Sequence, residues 1–318
     1  MKQYKSFEEL INTLINEKNI NASTIKPVCF LERNFIDLVT PYSDLLAEGR
    51  DSETNKHIYP KNIDFNDYLI FNKIDSEISK CLHILISCFE KQFKTFLIDT
   101  YCQKMKNLGD VETKDFSWCK KYIHSQTIFD LVPYRKTHSN GILVQANSDT
   151  IKRRKSLLEK LQCLSKKQST NFMVAHYQIK YKFVPMYIAI HTLTFGELNT
   201  LFSMLPQSDQ IRFMQLFFSN PKKIYSPIEI DKFQNKVTRI QIIRNIVNHY
   251  EPITPFILNT NDNEVYSLTS LLKELKTNYK CSLSFNTYEF NPPQKPNSKS
   301  KYSMPFHKKL WKVIDSLK

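Results

Sequence analysis

Apolar side chains recur at helical spacing along most of the chain, in segments with recognisable start and stop signals. Near the N-terminus, Ser6 and Glu9 have the S-x-x-E spacing of a capping box, which predicts that a helix begins at Ser6. A second helical stretch is expected over about 32–46, where Pro41 is a point of interruption. The strongest amphipathic pattern predicts a core helix over about 75–101, with a buried stripe of Ile78, Leu82, Leu85, Ile86, Phe89, Phe93, Phe96 and Leu97.

The middle of the chain has a weaker pattern. Residues 104–147 are expected to be irregular with one or two short helices, because glycine, proline and polar residues interrupt the apolar periodicity. A basic helix is predicted over about 149–164. Further along, Pro185 is expected to open a helix, and Phe195-Gly196 to separate that helix from the next.

The helix with the clearest signals at both ends follows Ser226. This serine fits the N-cap position, Pro227 the first helical position, and Glu229 completes a second capping box. Pro252 places the end of the helix near Tyr250, because proline cannot continue a helix. The predicted buried stripe of this helix consists of Phe233, Val237, Ile240, Ile243 and Val247.

Taken together, these patterns predict an all-α fold. A chain of 318 residues with 41% hydrophobic side chains can bury a sizeable core, and residues 1–290 are interpreted as a single large helical domain. Residues 291–304 combine proline, serine and lysine as flexible basic linkers do. Residues 305–318 can form a short amphipathic helix at the C-terminus.

The charge balance favours a polyanionic partner. Lys and Arg number 45 against 31 Asp and Glu, so the formal net charge is +14. Within the predicted basic helix, four consecutive cations are the first candidates for contacts with an RNA backbone: Lys152, Arg153, Arg154 and Lys155. The alternative interpretation is that they form only a solvated face.

Composition also excludes several classes of protein. Seven cysteines form an odd count without CxxC spacing, so we expect reduced cytoplasmic thiols and neither a disulfide framework nor a zinc site. Only four glycines occur, and they form no Walker A or GxGxxG loop for a nucleotide cofactor. Glu8 and Glu9 interrupt any signal peptide, and no apolar run reaches the roughly 20 residues of a membrane span. We therefore expect a cytoplasmic protein without a cofactor, a metal or a membrane partner.

The candidate chemistry lies at the end of the Ser226 helix, where Arg244 and His249 are five residues apart. That spacing is about 140° around a helix, so the two side chains do not share a face. Both residues fit the simple role of partners for the helix dipole. They also suit metal-independent RNA cleavage, in which histidine takes the 2′-hydroxyl proton and arginine holds the phosphate, with Asn245 as a supporting hydrogen-bonding group. If the helix faces a copy of itself across a two-fold axis, the Arg and His of two chains can converge on one cleft.

The motif Arg244-Asn245-x-x-x-His249 is similar to the R-x4-6-H signature of the HEPN ribonuclease superfamily. Four longer blocks resemble, in the same order, the abortive-infection (Abi) proteins of bacterial phage defence, in the AbiD/AbiF-like branch. The blocks are FIDLVTPYSDLL, FNDYLIFNKIDSEISKCLHILISCFEKQFKTFLIDTY, VPMYIAIHTLTFGELNTLF and RNIVNHYEPI. The resemblance implies a HEPN-like helical bundle with additional helices, a homodimer, RNA cleavage by Arg244 and His249, and toxicity to the infected cell. Some relatives are controlled by a small non-coding RNA, which makes a cognate inhibitor RNA an expected partner.

Two other functions fit the sequence less well. A HEPN-fold protein that binds RNA or serves as a scaffold, without catalysis, would keep the fold and the charge. A toxin that modifies nucleotides by group transfer would need a nucleotide site, and the lack of a glycine-rich loop disfavours it.

Overall fold

The computed structural model describes residues 5–22, 38–59, 63–107, 135–137, 143–145, 148–164, 169–182, 184–205 and 207–259, with the single residues 270, 273 and 315. Helices dominate these ranges, and two short two-stranded antiparallel sheets accompany them, which confirms the predicted all-α fold class. No helix in the described ranges combines the length and the apolarity needed to span a membrane. The predicted linker at 291–304 lies outside the described residues, as does the predicted helix at 305–318 apart from Asp315.

The elements of the described residues follow in one order along the chain. They are α1 (Phe7–Asn12), a π-helical segment (Thr13–Glu17), a 3₁₀ turn (Thr40–Tyr42), α2 (Ser43–Leu46), β1 (Gly49–Arg50), β2 (His57–Ile58), α3 (Phe65–Asn107), β3 (Arg135–Thr137), β4 (Leu143–Gln145), α4 (Ser148–Cys163), α5 (Phe172–Tyr181), α6 (Met186–Ala189), a second 3₁₀ turn (Ile190–Thr192), α7 (Phe195–Ser203), α8 (Gln207–Phe217), α9 (Pro227–Asn248) and α10 (Ile253–Asn259).

Local capping signals start the helices as predicted. At α1, the Glu9 N–H donates to Ser6 Oγ over 3.3 Å and the Ser6 N–H donates to Glu9 Oε2 over 2.6 Å. At α9, the Glu229 N–H donates to Ser226 Oγ over 3.3 Å and the Ser226 N–H donates to Glu229 Oε2 over 2.9 Å. Both capping boxes are therefore confirmed, because each satisfies backbone donors that a helix N-terminus leaves open.

Helix α3 is longer than its apolar stripe predicted. It begins at Phe65 rather than near residue 75, because a reciprocal aspartate cap precedes it. The Asn66 N–H donates to Asp64 Oδ1 over 2.8 Å, and the Asp64 N–H donates to Asp67 Oδ2 over 3.1 Å. Short polar residues before a helix cap it as serine and threonine do.

Two boundaries in the middle of the chain differ from the predictions. The segment expected to be irregular contains an antiparallel pair, β3 and β4, in which Arg135 is opposite Gln145. The break before α7 falls at Leu193–Thr194 and not at Phe195-Gly196, since Thr194 is the N-cap of α7 in a capping box with Glu197. Gly196 lies inside the helix, where a Cβ would come within 2.5 Å of the Gln241 side chain.

The chain divides into two compact units, residues 1–86 with 243–318 and residues 87–242. The first unit has a core that includes Leu14, Tyr42, Phe65, Tyr68, Ile78, Ile243, Val247 and Ile257. The second unit is built on an aromatic cluster centred on Phe93, whose ring contacts those of Phe195, Phe202, Phe213, Phe217 and Phe233. The chain passes from one unit to the other within α3 and again within α9.

Candidate active site

The Arg-x4-His motif lies at the C-terminal end of α9, in the first unit. Arg244 and Asn245 belong to the helix, whereas His249 follows its last residue, Asn248. The His249 N–H still donates to the Asn245 carbonyl over 3.0 Å, so the backbone stays helical up to the histidine. This helix end lies within two residues of the one predicted at Tyr250.

A Schellman motif, not the proline alone, ends this helix. Tyr250 has a φ of 58°, in the left-handed region. The Tyr250 N–H donates to the Val247 carbonyl over 3.3 Å, and the Glu251 N–H donates to the Ile246 carbonyl over 3.0 Å. These are the two hydrogen bonds of a Schellman C-cap, in which His249 occupies the capping position.

Burial separates the anchoring residues of α9 from those that can meet a ligand. The predicted stripe is confirmed, since Phe233, Val237, Ile240, Ile243 and Val247 are all buried. Arg244 is half-buried, whereas Asn245 and His249 are exposed. Because Asn245 and His249 are four residues apart, they share one face of the helix end, and Arg244 lies on a different one.

A histidine from α3 approaches this helix end. The Nδ1 atom of His83 lies 3.1 Å from Oδ1 of Asn248, within hydrogen-bond distance, and the His83 side chain is exposed. Sequence reasoning missed His83, because an exposed residue between apolar positions of a core helix looks like solvated surface. The contact joins residues that are 165 positions apart, so no local sequence pattern predicts it.

A buried carboxylate on α3 holds the chain just after the motif. Asp75 is 6% exposed and accepts hydrogen bonds from the Ile253 N–H over 3.1 Å and the Thr254 N–H over 2.7 Å. These two N–H groups belong to the first turn of α10, where a helix has no internal acceptors. Sequence reasoning did not single out Asp75, although a carboxylate three residues before Ile78 on the buried stripe was the available signal.

The four consecutive cations on α4, in the second unit, do not form one face. Lys152, Arg153 and Lys155 are exposed, whereas Arg154 is 3% exposed. The Nη2 group of Arg154 donates to the Ser203 carbonyl over 3.0 Å. Helical periodicity explains the difference, because Arg154 precedes the buried Leu157 and Leu161 by three and seven residues.

Among the residues described by the structure, no group of three or more histidine, cysteine or carboxylate side chains is arranged to hold a metal ion. The groups assembled around the motif are instead an arginine, two histidines and the Asn245 and Asn248 amides. Such groups can bind an anion and transfer protons.

Comparison with known proteins assigns the chain to a family. The sequence profile of the Abi-like protein family matches residues 30–254, which include the whole motif. The chain therefore belongs to this family, and membership supports a role in abortive infection. No similar protein is found among curated sequences or among solved structures.

Proposed function

We propose that this chain is a metal-independent endoribonuclease toxin of anti-phage abortive infection, with Arg244 and His249 as its catalytic residues. One observation carries the proposal: in a member of the Abi-like family, an Arg-x4-His motif stands at a capped helix end with the histidine exposed. The likeness of this motif to the HEPN signature supports the same assignment.

The proposed reaction needs only the chain's own side chains. His249 takes the proton of the ribose 2′-hydroxyl, and O2′ attacks the adjacent phosphorus. The bond between phosphorus and O5′ breaks, which leaves a 2′,3′-cyclic phosphate. O5′ becomes a 5′-hydroxyl by taking a proton from a donor other than His249, and His249 returns its own proton to water. Arg244 holds the non-bridging oxygens through paired, charge-assisted hydrogen bonds while negative charge builds, and Asn245 adds a supporting hydrogen bond.

Degradation of bulk RNA in EDTA tests this function. His249→Ala and Arg244→Ala are each expected to slow cleavage about 10²- to 10⁴-fold and to abolish toxicity. Arg244→Lys is expected to fail as well, because an ammonium group cannot form the bidentate fork. Asn245→Ala should have a smaller effect.

Matched controls remove the same side-chain types from other exposed positions. His191→Ala and Arg50→Ala should cut RNA at the wild-type rate with an unchanged fold. A wild-type protein that binds RNA but leaves it intact, with and without EDTA, would instead be a silent RNA-binding or scaffold protein.

A two-fold homodimer completes the proposed site. Arg244 and His249 of one chain lie about 140° apart around the helix, so a second copy is the direct way to bring an arginine and a histidine together. An exposed apolar residue supports an interface along α9: Ile242 is 46% exposed and lies three residues before Asn245 and seven before His249.

Dilution tests the dimer. Ile242→Lys should weaken association and lower the cleavage rate in parallel, as followed by light scattering and RNA cleavage over a dilution series. Ile179→Lys, at a position that is 62% exposed on α5, is the matched control and should change neither. A monomer that cuts RNA at full rate over the whole range would contradict the proposal.

RNA is the proposed substrate, and a small RNA is also proposed as the inhibitor that regulates the chain. The net charge of +14 and the exposed side chains of Lys152, Arg153 and Lys155 favour phosphate contacts with substrate or with a cognate small inhibitor RNA. Arg154 is left out of this proposed surface because it is buried. Protein purified from its host should carry a discrete small RNA, visible on a denaturing gel; RNA of random length would contradict a specific inhibitor.

A further inference from the structure

The contact between His83 and Asn248 places a second imidazole beside the motif. Asn248 precedes His249 directly and follows Arg244 by four residues, so it shares the helix face of Arg244. His83, which lies 3.1 Å from the Asn248 amide oxygen, therefore stands next to that face. All four residues belong to the first compact unit.

The contact with Asn248 indicates which nitrogen of His83 can take part in proton transfer. An amide oxygen only accepts, so this contact is a hydrogen bond in the tautomer of His83 that has its proton on Nδ1, with the Nδ1–H group donating to Asn248 Oδ1. Nε2 is then the nitrogen that is available for proton transfer. Orientation of an imidazole through its other nitrogen is how proteins prepare a histidine for proton transfer.

Cleavage of RNA needs a proton donor as well as a base. The 2′-hydroxyl gives up a proton at one side of the phosphorus, and O5′ must gain one as it leaves at the opposite side. His249 supplies the base in the proposed function. Since His249 does not share the Arg244 face, a separate imidazole next to that face is placed to act on a different oxygen of the same phosphate.

We propose that His83 is a catalytic general acid that protonates the O5′ leaving group, and that Asn248 is its positioning residue. The proposal rests on the ribonuclease function proposed above and deepens it. In this step the proton on Nε2 of His83 moves to O5′ as the bond between phosphorus and O5′ breaks. His83 is left neutral and His249 protonated, and exchange with water restores both.

A substrate with a better leaving group tests the assignment. In one RNA oligonucleotide sulfur replaces O5′ at the cut site, and the matched oligonucleotide has the ordinary oxygen. A thiolate leaves without protonation, so it does not need the acid. His83→Ala is expected to slow cleavage of the ordinary RNA about 10²- to 10⁴-fold and to recover most of the wild-type rate on the sulfur substrate. His249→Ala should stay slow on both, because the base is still needed.

Asn248 gives an independent check through the same readout. Asn248→Leu removes the acceptor for Nδ1, and it should slow the ordinary RNA far more than the sulfur substrate. Asn248→Asp keeps an acceptor oxygen and should restore much of the ordinary rate. A merely structural role of Asn248 would slow both substrates equally.

Several outcomes would overturn the inference. Wild-type rates of His83→Ala on ordinary RNA would show that His83 is not needed. Equal loss on both substrates would show that His83 supports the fold and donates no proton to O5′. If the wild-type protein cuts neither substrate, the proposed ribonuclease function itself fails, a result that is visible before any variant is compared.

Discussion

Tyr250, which directly follows the candidate histidine, adopts a backbone conformation that residues other than glycine normally avoid. Its φ of 58° lies in the left-handed region, and the residue is 93% exposed. A residue with a Cβ loses about 1–2 kcal/mol in that region relative to glycine, which is why glycine is common at this position of a Schellman cap. The exposed ring gains little burial in return.

Replacement of this tyrosine by glycine should therefore stabilise the chain. Tyr250→Gly is expected to raise the free energy of unfolding by about 1 kcal/mol, because glycine adopts the left-handed conformation without a steric cost. Urea unfolding followed by circular dichroism measures the change. A loss of stability of similar size would show that the ring makes a stabilising contact.

The second residue-scale prediction concerns the buried carboxylate of Asp75. Asp75→Asn removes the charge and one acceptor oxygen, so one N–H of the first α10 turn loses its partner. Loss of a buried partner costs about 1–3 kcal/mol, and we expect that drop in urea unfolding together with slower RNA cleavage. Glu77→Gln is the matched control, since Glu77 lies on the same helix but is exposed and pairs with Lys80. Equal effects of the two changes would contradict the role of Asp75 in holding the first turn of α10, just after the motif.

At the scale of elements, helix α9 depends on its first turn as well as on its last. Glu229 closes the capping box at the start of α9 and forms an ion pair with Lys223 at 2.8 Å. The hydrogen bond from the Lys223 ammonium, together with those from Ser226, lowers the pKa of Glu229 from its ordinary 4.5 to about 2. The folded chain therefore prefers the ionised carboxylate.

This pKa gives α9 a defined response to acid. A carboxylate with a lowered folded-state pKa stabilises fully above its ordinary value, 4.5, and that contribution is lost as pH falls towards about 2. Glu229→Gln keeps a capping side chain but cannot ionise. The difference in unfolding free energy between wild type and this variant should be constant near neutral pH and shrink between these two values. A difference that does not change with pH would contradict the ion-pair account.

Elements whose signals are local could be predicted from sequence. The capping boxes at Ser6 and Ser226 and the buried stripe of α9 depend on spacings of three or four residues, and the structure confirms them. The Asp64 cap is equally local. The start of α3 was nevertheless predicted too late, because the prediction rested on the apolar periodicity, which begins further along the helix. Arg154 differs from its neighbours because a helix turns the third of four consecutive cations towards the core.

The surroundings of the candidate site depend on residues that are distant in the sequence, and they were not predicted. Asp75 accepts a hydrogen bond from Ile253, which is 178 positions away in the sequence, and His83 contacts Asn248, which is 165 positions away. A side chain that faces solvent on its own helix gives no sign of which other helix end will lie beside it. The family resemblance pointed to the motif, but not to the α3 residues that hold it.

At the scale of the whole molecule, binding to RNA should be mainly electrostatic. Each phosphate contact releases a counterion, so affinity falls steeply with salt. The triple variant Lys152→Gln, Arg153→Gln and Lys155→Gln should flatten the slope of log affinity against log salt by about one unit per lost contact. Filter binding over a salt series measures it.

Controls separate a specific basic surface from net charge. Removal of three other exposed lysines, Lys80, Lys222 and Lys232, changes the net charge equally and should leave the slope nearly as it was. Arg154→Gln should reduce stability instead, since its guanidinium is buried against Ser203. Equal slopes for the two triple variants would show that the cations on α4 are only a solvated face.

The central claim, RNA cleavage by attack of the 2′-hydroxyl, can be tested with one pair of substrates. The wild-type protein is given two RNA oligonucleotides in EDTA, identical except for a 2′-O-methyl group at the cut site. The ordinary RNA should be cut and end in a 2′,3′-cyclic phosphate, and the methylated RNA should stay intact at that position because its nucleophile is blocked. Cleavage of both at the same rate would contradict the mechanism.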